Sequence, residues 1–209
     1  MAPVRTYTLP HYDAYPVHVS LFTHVTNAAF LRSQLLQANP EFDYAFLDAS
    51  MILSPNHLLT PTFLALHLTL SHALKTRSPH SELVYRLSPN NNIGDSYKRF
   101  GISDATTSLI AVKLAVKADG SVDESVSRES VSRHLEHVVR GTSVQIGEHG
   151  DEIGRDCDVD KLRKVYKLSD VQAGKGKNKG TVKSSGDGGR DERKELESVV
   201  LGIIALKGS

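Results

Sequence analysis

The chain is short of cysteine, of net charge and of long apolar runs, and each shortage excludes a class of protein. Its single cysteine, Cys157, excludes an internal disulfide and suits a reducing compartment. A formal net charge of +1 gives no overall attraction to nucleic acid or to an anionic membrane, so such binding needs a local patch. The longest apolar run, residues 199–206, is far shorter than the roughly 20 residues that span a membrane. Because the N-terminus also lacks the pattern of a signal peptide, we expect a protein of the nucleus and cytoplasm, without membrane attachment.

The motifs of common catalytic and metal sites are incomplete. His134 and His137 stand three apart on a predicted helix and could both face a zinc ion, but a third ligand at a defined spacing is missing. Residues 156–160 (DCDVD) begin like a calcium loop, which then has lysine at the positions of the glycine and the bidentate glutamate, so helix capping explains these acids better. Residues 174–180 (GKGKNKG) do not complete a phosphate loop. We therefore predict no enzyme activity, no metal and no cofactor.

Helix and strand patterns alternate along most of the 209 residues. Strands are predicted at 17–25, 44–52, 82–87 and 108–116, and helices at 28–38, 55–75, 93–100, 126–140, 158–168 and 191–207. A proline at position 61 suggests that the first turns of the second helix are separate. This alternation predicts an α/β domain in two or three layers around a small sheet, and helical crossovers by themselves favour parallel strands.

Residues 172–190 differ from the rest of the chain in composition. They contain glycine, lysine and serine but only one large apolar side chain, so burial cannot offset the entropy lost on ordering them. We predict that they form a flexible insert. Residues 1–171 together with 191–209 then make a single domain.

The segment 87–102, LSPNNNIGDSYKRFGI, carries the densest local signals. Proline cannot donate to a strand ladder and ends the preceding element. One of the asparagines at 90–92 is expected to cap a short helix over 93–100, which has basic residues in its last turn, as the helix dipole favours. Gly101 supplies the C-terminal stop.

The same segment resembles the signature of the kinase-binding subunit of the KEOPS/EKC complex. Three further blocks agree with that family in order: VSLF with Asn-Ala within 19–28, Lys-Thr-Arg with glutamate within 75–82, and KVYKLS at 164–169. The resemblance spans roughly residues 15 to 170 and resumes at the C-terminal helix. It implies a compact α+β fold with a small four-stranded sheet, largely antiparallel or mixed, flanked by helices.

The resemblance also implies a function. The family is a non-catalytic adaptor that binds the atypical Rio-type protein kinase of KEOPS/EKC and, indirectly, the transferase and other subunits. The complex makes the threonylcarbamoyl modification of adenosine in tRNA, and this subunit helps to recruit the tRNA. Members have also been linked to telomere maintenance. The alternative hypothesis is a stand-alone RNA-binding domain without a kinase partner.

The C-terminal helix is the first candidate binding surface. From residue 199 onward its apolar residues surround the whole helix, so one side can pack on the domain while the other needs a groove or a partner. Complete burial of the helix would give the same pattern. Because the family docks on the small N-terminal lobe of its kinase, the resemblance favours a shared surface. The predicted kinase-binding residues are Leu196, Val199, Val200, Ile203 and Ile204.

Basic residues near the ends of predicted elements are the second candidate surface. Phosphate contacts require cations on one face, and asparagine amides can add hydrogen bonds to bases or sugars. The alternative for each of these residues is an ordinary solvated position. The predicted tRNA-binding residues are Lys75, Arg77, Asn91, Asn92, Lys98 and Arg99.

Overall fold

Three of the four predicted strands lie side by side in an antiparallel sheet. The computed structural model describes residues 1–168 and 188–207. Its strands are β1 (Arg5–Tyr7), β2 (Val17–Thr23), β3 (Ala45–Asp48), β4 (Leu109–Leu114) and β5 (Thr142–Val144). The order is β1-β2-β4-β3, with β5 also beside β2, and every pairing is antiparallel. The predicted α+β domain with a largely antiparallel sheet is therefore confirmed, although the sheet has five strands where four were predicted.

Six of the seven helices of the described residues correspond to predicted helices, four of them with shorter bounds than predicted. The seven are α1 (Ala28–Leu36), α2 (Pro55–Leu70), α3 (Pro79–Leu87), α4 (Ile93–Phe100), α5 (Arg128–Val138), α6 (Val159–Val165) and α7 (Gly188–Leu206). Helix α2 continues through Pro61, so its first turns are not separate. None of these helices is both long and apolar enough to cross a membrane. Residues 172–187 of the predicted insert lie outside the described residues. Helix α7 begins at Gly188, three residues before the start predicted at 191.

The predicted strand at 82–87 is wrong, because these residues belong to α3. Val84 and Tyr85 favour strands, but the local start signals favour a helix. Ser78 accepts a hydrogen bond from the third amide of the helix, and Pro79 occupies its first position, where its missing N–H costs nothing. Glu82 and Arg86 stand four apart, the spacing at which a helix brings opposite charges together.

The sheet separates two hydrophobic cores. Alternate side chains of β2 point to opposite faces: Val19 and Leu21 enter one core, and Phe22 enters the other. The first core contains buried residues of α2, α3, α4, α6 and α7, and the second contains those of α1 and α5. A sheet covered on both faces explains why β4 is apolar almost throughout. Helices α7 and α1 therefore lie on opposite sides of the sheet.

Candidate binding surfaces

One side of α7 is part of the first core. Leu196, Val200 and Ile204 are buried, and their spacing of four residues places them on a single side of the helix. The prediction that these three residues contact a kinase is therefore corrected: their side chains attach α7 to the domain. The all-round apolar pattern had not shown which side packs inward.

A row of residues next to the buried side of α7 is at least partly accessible. Val199 is 43% exposed and Leu206 is 73% exposed, and Ile203 between them is partly buried. These residues stand at i, i+4 and i+7, so they form one stripe along the helix. Two of them belong to the predicted kinase-binding set, whereas Leu206 was not included, although the same helical spacing could have identified it. We call Val199, Ile203 and Leu206 the α7 stripe.

The residue after α7 is held by the end of α3. The Lys207 Nζ donates to the carbonyl oxygens of Ser88 at 2.8 Å, Asn90 at 2.7 Å and Tyr85, and it lies 3.5 Å from the centroid of the Tyr85 ring. Burial, followed by the nearby charge of Arg86, lowers the pKa of the Lys207 ammonium to about 8. No local sequence signal marks this residue, because its partners lie more than a hundred positions away.

A buried ion pair lies beside Lys207. Arg86 Nε donates to Glu82 Oε1 at 2.9 Å, and the Arg86 guanidinium also donates to the carbonyl of Lys207. The second carboxylate oxygen of Glu82 accepts from the backbone N–H of Lys75 at 3.0 Å. Arg86, which falls within the predicted strand at 82–87, is instead buried on a helix and paired with Glu82.

The asparagine segment is a turn fixed by its own side chains. Asn92 is the cap of α4, as its Oδ1 accepts from Asp95 N–H at 3.0 Å. Asn91 accepts from the Tyr85 hydroxyl at 3.1 Å, and the Asn90 amide donates to the Asp95 carboxylate at 3.1 Å. The prediction that one asparagine caps the helix is confirmed.

Gly101 ends α4 by a route that differs from the usual left-handed stop. Its backbone is extended, with φ −72° and ψ 168°, and it forms an antiparallel bridge with Leu47 of β3. A Cβ at this position would lie 2.7 Å from the carbonyl oxygen of Tyr97, closer than real Cβ atoms approach. Glycine is therefore required here for close packing of the chain.

The predicted tRNA-binding cations are on the surface but differ in their surroundings. Lys75, Arg77 and Lys98 are exposed, and their side chains make no hydrogen bond or ion pair with the residues that the structure describes. Arg99 is half-buried and pairs with Asp95 at 3.4 Å. Only Lys75 is linked by a hydrogen bond to the Glu82, Arg86 and Lys207 cluster, through its backbone. The expected convergence of the basic residues is thus only partly visible in the contacts.

His57 is held in a fully engaged arrangement in the first core. Its Nδ1 accepts from Leu53 N–H at 3.0 Å, and its Nε2 lies 3.0 Å from the Tyr166 hydroxyl, which donates to the Leu87 carbonyl at 2.5 Å. Burial lowers the pKa of His57 to about 3, so the ring is neutral at pH 7. Nδ1 thus holds the residue before the cap of α2, and Nε2 connects α2 through Tyr166 to the end of α3.

His80 belongs to a second polar cluster, with Asp43 and Ser78. His80 Nε2 accepts from Leu114 N–H at 3.0 Å, and its Nδ1 lies 3.1 Å from Asp43 Oδ2. Ser78 donates to the other Asp43 oxygen at 3.3 Å. Burial, which outweighs the opposing effect of Asp43, lowers the pKa of His80, and the nitrogen that a general base would need is already bonded to the sheet. The three side chains together therefore support the fold and do not form a nucleophile–base pair.

The sequence motifs considered for metals serve packing and capping. His134 stacks on Tyr44 with ring centroids 5.5 Å apart, and Asp158 accepts from Lys161 N–H at 2.9 Å as the cap of α6. Within residues 1–168 and 188–207, no three histidine, cysteine, aspartate or glutamate side chains are grouped so as to hold a metal ion.

Comparison with known proteins decides the family. Residues 22–208 match the family model of the kinase binding protein CGI-121. The chain belongs to the CGI-121 family. The EKC/KEOPS complex subunit CGI121 of Phaeosphaeria nodorum is 56% identical, with 99% of this chain and 100% of that protein covered. Those of Aspergillus fumigatus and Candida albicans are 40% and 32% identical, covering 99% and 78% of this chain and 98% and 83% of the relatives.

The resemblance stated from the sequence is thereby confirmed. The range that matches the CGI-121 family includes all of α3, α4 and α7, which meet around Lys207. The C-terminal helix is therefore part of the family's shared sequence.

Proposed function

We propose that this chain is a non-catalytic subunit of an EKC/KEOPS complex and binds the atypical Rio-type protein kinase of that complex, and through it the transferase and other subunits. The α7 stripe supports the proposal. An apolar row next to the side of the helix that is fixed in the core is a rigid surface that suits a partner. The family description as a kinase binding protein indicates which kind of partner this is.

A single substitution on the stripe tests the kinase contact. Val199→Glu places a charge at the N-terminal end of the stripe, and we expect kinase affinity to fall about 30-fold, as loss of an interface hot spot of about 2 kcal/mol does. Leu36→Glu is the matched control. Leu36 is likewise an exposed apolar residue, at 73% exposure, but it lies on α1, on the other side of the sheet. Titration of the purified kinase by calorimetry gives both affinities. Equal affinities for the two variants would contradict the proposed surface.

We propose further that the subunit helps to recruit tRNA for threonylcarbamoyl-adenosine modification. Lys75, Arg77 and Lys98 support this part, because they are exposed cations without a protein partner among the described residues. Asn91 and Asn92 lie exposed between α3 and α4 and could add hydrogen bonds from their amide groups. Arg99 contributes less to this proposal, since Asp95 already pairs with it.

Charge reversal tests the RNA contact separately from the kinase contact. We expect Lys98→Glu and Arg77→Glu each to weaken tRNA binding and to reduce the salt slope by about one, while kinase affinity is unchanged. Arg133→Glu, an exposed change on α5, is the control. Filter binding at several salt concentrations gives the slopes. Slopes equal to the control would remove these cations from the site, whereas tRNA binding without any kinase binding would favour a stand-alone RNA-binding domain.

The same proposal includes a nuclear and cytoplasmic location and a link to telomere maintenance. The location rests on the composition of the sequence, and the telomere link rests on the family resemblance. Fluorescent tagging checks the location, and telomere length in cells lacking the protein checks the link.

A further inference from the structure

The end of α3 exposes carbonyl groups that the helix itself cannot satisfy. The last carbonyls of any α-helix lack an intrahelical amide donor. Here, the Lys207 ammonium donates to the carbonyl of Ser88 and to that of Tyr85, which also accepts from Ser88 N–H at 3.3 Å, and the Tyr166 hydroxyl donates to the carbonyl of Leu87. A cation at this position also interacts favourably with the negative end of the helix dipole. Lys207 thus caps α3 although it directly follows α7 in the chain.

The third carbonyl bonded to Lys207 belongs to the turn between α3 and α4. Asn90 accepts at 2.7 Å, and its own side chain donates to Asp95 in the first turn of α4. The neighbouring Asn91 is bonded to the hydroxyl of Tyr85, whose ring lies under the same ammonium. The position of Lys207 therefore bears on both residues that precede the cap of α4.

The connection also runs in the opposite direction. The Arg86 guanidinium of α3 donates to the Lys207 carbonyl, and the Lys207 ammonium donates to the Tyr85 carbonyl of α3. The backbone and the side chain of Lys207 are therefore both bonded to α3. Both cations are buried, and Glu82 is paired with Arg86 inside the cluster. An ammonium removed from water requires such partners, so displacement of α7 would leave carbonyls and charges unpaired together.

We propose that Lys207 couples the conformation of the 88–92 turn to the packing of α7 against the domain. We call this coupling contact the latch. The inference rests on the proposed function only in its consequence: a kinase on the α7 stripe and RNA at Asn91 and Asn92 would then alter each other's affinity. Coupling of this kind is reciprocal, because both ligands act on one equilibrium.

Hydrogen exchange of the full-length protein tests the latch without any ligand. Lys207→Met keeps the length of the side chain but removes its charge and donors. We expect the amides of residues 90–96 to exchange on the order of tenfold faster, as after loss of hydrogen bonds to a charged group, with α2 and β4 unchanged. Lys194→Met, an exposed lysine on α7, is the control. Unchanged exchange in the turn would overturn the latch, as would loss of protection throughout the chain, because Lys207 would then be a general requirement for folding.

A second variant perturbs the packing of α7 and leaves Lys207 in place. Val200→Ala loosens the buried side of α7 without touching the lysine. We expect faster exchange in residues 90–96 in this variant, and no additional increase when Lys207→Met is already present. Additive effects of the two substitutions on the turn would contradict a coupling that passes through Lys207.

The affinity of Lys207→Met for tRNA separates the latch from the proposed function. Faster exchange with severalfold weaker tRNA binding supports both. Faster exchange with unchanged tRNA affinity leaves the latch intact and removes Asn91 and Asn92 from the proposed RNA contact.

Discussion

Replacement of Glu82 by glutamine should expose the energetic importance of the buried cluster at the end of α3. The Glu82 side chain is fully buried and accepts from Arg86 Nε at 2.9 Å and from Lys75 N–H at 3.0 Å. The two bonds end on different carboxylate oxygens, and glutamine has an NH2 group, which only donates, in place of one of them, so it cannot accept both bonds in this geometry. It also leaves the charge of Arg86 unpaired in the interior.

The expected loss follows from that unpaired charge. Removing one partner of a buried ion pair typically costs about 3–5 kcal/mol, because the remaining charge stays desolvated. Domains unfold with roughly 5–15 kcal/mol, so the loss would be a large fraction of the total stability. A salt bridge on the surface would give less than about 1 kcal/mol.

Urea denaturation followed by circular dichroism measures the difference. Glu195→Gln provides the matched control, since Glu195 is exposed on α7 and its substitution should leave the midpoint unchanged. The variant Glu82→Leu with Arg86→Met should recover part of the loss, because no buried charge is then left alone. A loss for Glu82→Gln below about 1 kcal/mol would refute the reasoning, as it would equate the pair with one on the surface.

Three further predictions concern the core and its pH dependence. Burial lowers the pKa of His57 from 6.5 to about 3, so between these values the unfolded chain binds a proton that the folded chain does not, and stability falls as pH falls; His57→Gln should flatten this part of the urea midpoint–pH curve, and an unchanged slope would contradict it. Burial tends to raise the pKa of Asp43, but His80 and Lys113 outweigh it and lower the pKa to about 2, so Asp43→Asn should remove a stabilisation that is present above pH 3.8 and lost toward pH 2, which acid titration of both proteins would reveal. Phe100 is fully buried, with ring centroids 6.3 Å from His57, and Phe100→Ala should lower the free energy of unfolding by about 3–5 kcal/mol, whereas a loss below 1 kcal/mol would argue against its place in the core.

Elements with complete local signals were predictable from the sequence. Helix α4 has the predicted bounds, because Asn92 caps it, basic residues occupy its last turn, and Gly101 ends it. The sequence predicts a strand where α3 lies, since a short run containing Val84 and Tyr85 fits a strand as well as a helix. The signal that distinguishes the two is the cap at Ser78. Strands β1 and β5 have three residues each, too few for an alternating pattern, and form through pairing with β2.

The candidate site was predictable in location but not in detail. The apolar pattern of α7 identified the helix, but only packing distinguishes Val199 on the surface from Val200 in the core. Lys207 was not predictable, because its three carbonyl partners are far away in the sequence and backbone carbonyls leave no mark on side-chain identity. Lys75, Arg77 and Lys98 are exposed, whereas Arg86, within the predicted strand at 82–87, is buried, because its partner Glu82 becomes adjacent only in a helix.

Site-specific crosslinking from α7 is the most direct test of the proposed kinase contact. A photoreactive amino acid is placed at position 199, or at position 36 as the control, and the protein is irradiated with the purified Rio-type kinase. The account predicts a crosslink to the kinase from position 199 and none from position 36. A crosslink from position 36 together with none from position 199 would contradict it.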